Sequence, residues 1–170
     1  SGEDLTTGDS NVAVGYVALS ADTQGDRNVA IGAGALKTQN FTTATSVYNV
    51  AIGYDAGASI TTGVANTVIG GLAGDAMTTG FNNTFVGAGV ASVGVITGGR
   101  NVAVGTAAMN NLTSGSDNCA LGEDAGAQLT SGTNNMLLGH DAGRTGSPGG
   151  ACTTGTNRIA LGDENVDNAH

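Results

Sequence analysis

Three pairs of ionisable residues stand at equivalent places in the last third of the chain: Glu123-Asp124, His140-Asp141 and Asp163-Glu164, each directly after a glycine. Paired carboxylates are what glycoside hydrolysis uses, one as acid and the other as base or nucleophile. Adjacent residues on an extended backbone point to opposite sides, so Glu123 and Asp124 cannot converge on one bond. Asp124 and Asp141 are separated by one period of the repeat described below and are expected to stack. Like charges that close repel unless water or a cation lies between them, and calcium is the cation such a pair would take. No nucleophile motif, zinc spacing, phosphate loop or calcium-binding Gly-Asp nonapeptide occurs. The sequence therefore offers no catalytic residues. A solvated acidic edge is the favoured reading, with Asp124 and Asp141 the one candidate metal pair and no other cofactor expected.

The aromatic residues are the other candidates. Phe41 and Tyr48 fall in a four-residue insertion within Leu36–Tyr48, and loops on rigid scaffolds are where binding tends to sit. Tyr16, Tyr54 and Phe81 follow turn glycines and are expected to point outward, where aromatic rings can stack on sugars, although the three do not form one column. Phe41, Tyr48, Tyr16 and Tyr54 are the candidate receptor-binding residues.

These side chains are carried by a repeat. Asn11-Val-Ala-Val-Gly15 returns from Asn28, Asn49, Asn66, Asn83, Asn101, Asn118, Asn135 and, as Arg-Ile-Ala-Leu-Gly, from Arg158. The closing glycines lie 17, 21, 17, 17, 18, 17, 17 and 23 residues apart, so the unit is 17 residues with three insertions. A short fixed period marks a solenoid whose units bury their faces against neighbours. The expectation is an all-β parallel solenoid of about nine coils, one domain over 1–170, with repeats from about 5 to 162 and a tail from 163 to 170. Ser1-Gly2 without a methionine and a half-repeat at the start are expected of a piece of something longer.

Within the unit, positions 1 to 5 alternate as a strand. Positions 2 and 4 hold mostly β-branched aliphatics and are expected to face the coil interior. Position 3 would then face outward: Ala13, Ala30, Ala51, Val68, Phe85, Ala103, Ala120, Leu137 and Ala160. Nine coils with no polar residue there would leave an apolar stripe about 40 Å long. The expectation is that identical chains cover it, as a homotrimer, side by side or intertwined. Position 8, from Ala18 to Ala142, reads as a second inward row, the asparagines as a stacked amide ladder, and Thr-Thr-Gly as the return turn. Cys119 is expected inside the coil and Cys152 in a loop, without a bridge.

Thirty glycines and 4% aromatics exclude an ordinary core of large side chains. The 39% of apolar residues in register exclude disorder. A net charge of −9 argues against nucleic acid and anionic membrane surfaces as partners, and no apolar run is long enough for membrane insertion as a helix.

The Asn-Val-Ala-Ile-Gly-x-x-Ala pattern closed by Thr-Gly turns resembles the repeat region of bacteriophage tail fibres over Leu5 to Gly162. It is similar, less closely, to the head repeats of trimeric autotransporter adhesins. The run from Asn157 to His170 resembles the junction before the C-terminal intramolecular chaperone of such fibres. The resemblance implies a trimeric, non-enzymatic segment of a virion tail fibre that attaches to a bacterial surface glycan or outer-membrane protein. The alternatives are a bacterial adhesin head at the cell surface and a polysaccharide depolymerase tailspike. An ice-binding solenoid is disfavoured because the threonines sit in turns instead of forming a flat face.

Overall fold

The computed structural model describes residues 1–148, 150–163 and 165. Of the expected C-terminal tail, Glu164 and residues 166–170 lie outside the described residues. Among the described residues there is no helix; the chain winds as a parallel β-solenoid with one short strand per repeat. These are β1 (Val12–Val14), β3 (Val29–Ile31), β5 (Val50–Ile52), β6 (Thr67–Ile69), β7 (Thr84–Val86), β8 (Val102–Val104), β9 (Cys119–Leu121), β10 (Met136–Leu138) and β11 (Ile159–Leu161), with β2 (Gly25–Asp26) and β4 (Thr45–Ser46) forming a separate pair. The nine repeat strands make one parallel sheet in chain order, and each residue pairs with its counterpart in the next coil, as Ala13 with Ala30 and Val68 with Phe85.

The expected faces of the strand are reversed. Position 3 is the interior: Ala30, Ala51, Val68, Phe85, Ala103, Ala120, Leu137 and Ala160 are buried within the single chain, and Ala13 packs against the same core. The eight buried residues are not left to form a contact between chains. Positions 2 and 4 face outward instead, with Val12, Val14, Ile31, Ile52, Val102, Val104, Leu121, Met136 and Ile159 exposed. The reason is size. A 17-residue coil has little room at its axis, where position 3 meets the rows at positions 8, 9 and 12.

In several coils large and small residues trade places between positions 3 and 9; where both are small, as Ala51 with Gly57 and Ala120 with Gly126, the position-3 residue of the next coil, Val68 or Leu137, takes the space. Ala30 and Ala103 accompany Leu36 and Met109, whereas Val68 and Leu137 accompany Gly74 and Gly143. A Cβ added at Gly126 would lie 2.6 Å from Leu137 Cδ1, and one at Gly143 2.7 Å from Leu137 Cδ2. The glycines make room for the side chain opposite, at the close packing expected of an interior.

The asparagine ladder forms as expected and does more than stack. Each Oδ1 accepts the backbone N–H of its counterpart one coil on: Asn28 to Asn11 at 2.8 Å, Asn66 to Asn49 at 2.9 Å, and at the end Arg158 to Asn135 at 2.9 Å. Most side-chain amides also donate to the glycine carbonyl closing their own coil, Asn11 to Gly25 at 2.8 Å and Asn118 to Gly132 at 2.8 Å. The residue before each of these positions, from Ser10 and Arg27 through Tyr48 to Asn157, has φ between 54 and 62°. That left-handed corner is uncommon outside glycine, and the buried ladder holds it. At the other corner Gly15 has φ 130°, and an added Cβ would lie 2.6 Å from the Gly32 carbonyl oxygen, so only glycine fits. The row from Ala18 to Ala142 is inside, as expected. The cysteines are exchanged: Cys152 is buried at position 12, Cys119 stands half-exposed on the outer face, and both are free.

Candidate functional site

The first insertion is a built element. Asp22 and Gln39 occupy interior position 12 of their coils, where later coils place Ile60, Met77, Ile96, Leu112, Leu129 and Cys152, and both are fully buried. One Asp22 carboxylate oxygen accepts the N–H groups of Gly25 at 3.1 Å and Phe41 at 3.0 Å; the other accepts Gln39 Nε2 at 2.6 Å. Gln39 Oε1 in turn accepts Asn49 Nδ2 at 2.8 Å, which joins the network to the ladder. A buried polar group is tolerable when its oxygens are hydrogen-bonded in this way. Thr23 Oγ1 donates to the Phe41 carbonyl at 2.8 Å, and β2 pairs with β4. Sequence reasoning missed Asp22 and Gln39, although a polar break in an apolar column, in the two coils beside the insertion, was available as a signal.

Phe41 and Tyr48 stand at the two ends of this element. Phe41 is half-buried against the turn, and Thr42, Thr43 and Ala44 are exposed after it. Tyr48 occupies an exposed left-handed corner, with the Arg27 guanidinium 5.6 Å from its ring centroid. Arg27 also donates to Ser46 Oγ.

Tyr16 and Tyr54 share one column, the position after the corner glycine, with Ala33 between them. Gly34 N–H donates to the Tyr16 carbonyl at 2.9 Å, Asp55 N–H to that of Ala33 at 2.9 Å and Leu72 N–H to that of Tyr54 at 2.8 Å. Phe81 belongs to another column; Arg100 lies 5.4 Å above its ring and binds Asp117 through two bonds of 2.6 and 2.8 Å. The three rings form no common column, as expected, although two of them, Tyr16 and Tyr54, share one.

At the acidic end Asp124 and Asp141 do come together, and Arg144 lies between them. Its Nη1 is 2.6 Å from Asp141 Oδ1 and 3.3 Å from Asp124 Oδ2. The guanidinium stands where the stacked carboxylates called for a cation. Among the described residues no group of three or more His, Cys, Asp or Glu is arranged to hold a metal ion. A polar cleft of about 300 Å³ beside it is lined by Gln128, Asp141, Arg144, Thr145, Ser147 and Asp163. Asp163 accepts from the backbone N–H and side chain of Asn165, which hold its carboxyl below the usual range. A glycosidase acid needs its pKa raised, whereas that of Asp163 is shifted the other way.

Compared with protein-family models, curated proteins and solved structures, the chain gives no match.

Proposed function

We propose that the chain is a structural and host-attaching segment of a phage tail fibre that assembles with two further copies of itself. The outward sheet face carries this reading. Positions 2 and 4 of nine strands provide eighteen side chains with no charge among them. Many are exposed aliphatics, in a band about 40 Å long. A contiguous apolar band of that size on a monomer is an association surface. In a homomer each chain offers the same face, so parallel solenoids can cover it around a common axis. The interface expected from the sequence thus moves from position 3 to positions 2 and 4, and the number three comes from the resemblance. Attachment is assigned to the departures from the repeat, above all the pinned insertion with Phe41 and Tyr48.

Light scattering tests the assembly: three times the chain mass is expected, and a stable monomer overturns it. Host-cell adsorption tests the attachment. Phe41→Ala with Tyr48→Ala should weaken adsorption several-fold without changing mass, and undiminished adsorption removes the insertion from the receptor site.

A further inference from the structure

We infer that Tyr16 and Tyr54 bracket a binding site for one ring of a neutral saccharide on the first three coils. The inference deepens the attachment reading and rests on it. Both rings are far out in solvent, Tyr16 at 81% and Tyr54 at 62% exposure. The coil-to-coil hydrogen bonds place Ala33 directly between them. Two rungs of a parallel sheet separate their backbones by about 10 Å. Carbon surfaces in contact sit about 4 Å apart, so a ring held between two others needs about 8 Å. Alanine between the tyrosines leaves that gap open, whereas larger residues occur elsewhere in the column at Thr106, Glu123 and His140.

Polar partners stand one position along, at the height of Ala33. Gly34 has no side chain there, and Asp55 Oδ1 takes the space a Cβ would fill. The same oxygen is 2.8 Å from Lys37 Nζ, and the Lys37 side chain stays half-exposed. The Asp55 carboxylate and the Lys37 ammonium, an ion pair joining the second and third coils, can accept from and donate to ring hydroxyls while adding no net charge. A stacked, hydroxylated, uncharged ring is the ligand this combination takes. An acidic sugar or a phosphate would meet a protein of charge −9, with Lys37 already paired.

The test is a printed array of neutral gluco-, galacto-, manno- and N-acetylglucosamine oligosaccharides, with sialylated and uronic acid oligomers as controls. The intact protein should be retained by at least one neutral series. Tyr16→Ala and Tyr54→Ala, singly, and Ala33→Phe, which fills the gap, should each weaken retention about tenfold. Tyr16→Phe should retain it. No retention on the neutral series, retention on the acidic series alone, or retention unchanged in both alanine variants overturns the site. Light scattering on the same samples separates this from the assembly. If both alanine variants turn a trimer into a monomer, the tyrosines are subunit contacts and the saccharide site falls while the assembly stands. A monomeric parent that still binds through both tyrosines removes the assembly and keeps the site.

Discussion

At the scale of single residues, two carboxylates respond to pH with opposite sign. Burial raises the pKa of Asp75, whose Oδ1 is enclosed without a hydrogen-bond partner; Asp55 nearby adds to the rise. Between the unfolded and folded pKa the native state holds more protons than the unfolded chain, so stability falls as pH rises through that window. The penalty is complete above the folded pKa and absent below the unfolded one. Asp75→Asn should stabilise the fold at pH 7 by less than about 1 kcal/mol, read as a higher melting temperature, because part of the side chain stays hydrated. The gain should vanish when melting is followed below the usual carboxylate range. Asp117 behaves oppositely: the Arg100 hydrogen bonds hold its carboxyl low, so its small contribution is present above the unfolded pKa and lost as pH falls through the folded one. Asp22 is different in kind, because it serves as an acceptor for three buried donors. Asp22→Ala leaves those donors unsatisfied and should cost about 3 kcal/mol. Hydrogen exchange should show Phe41 N–H opening faster while the amides of β8 and β9 are unchanged.

At the scale of the coil, stability depends on how each cross-section is filled. Phe85 is the largest fully buried side chain, and its coil offers only Ala91 at position 9. Phe85→Ala should therefore cost about 3 to 5 kcal/mol in urea melts, because backbone contacts from coil to coil prevent collapse. The period, the strands, the glycine corners and the ladder were legible in the sequence, since each repeats the same residue type in the same place. The direction of the strand was not. Alternation separates two faces without saying which is inside, and the larger aliphatics of positions 2 and 4 suggested the wrong one. The exchange between Val68 or Leu137 and the glycines at position 9 was the clue, because only facing residues need to compensate in volume. The acidic end was half legible. Stacking of Asp124 on Asp141 follows from the period, and Arg144 holds the tenth position of its coil as Lys37 does in an earlier one, but that position changes residue type from coil to coil and the period does not say which carboxylates its side chain reaches.

At the scale of the whole molecule, the reversed strand lets folding and the proposed assembly be tested separately within two adjacent residues. Ala103 and Val104 are neighbours in β8; Ala103 is fully buried inside the coil and Val104 is exposed on the outer face. Ala103→Asp places a charge at the solenoid axis with no partner, a cost of several kcal/mol in each chain. Every coil stacks on the next, so the loss spreads to neighbours. That variant should lose its β-sheet circular dichroism or be insoluble at any concentration. Val104→Asp leaves the interior untouched and sets a carboxylate in the middle of the apolar band. If identical chains cover the band, the carboxylates of all copies meet near the common axis, and the product should be a folded monomer with an unchanged spectrum. Ile52→Asp, three strands away on the same face, should act the same way, and Ala51→Asp should act like Ala103→Asp. Chains that keep their trimeric mass with aspartate at both 52 and 104 would show that the outer face is not where they meet.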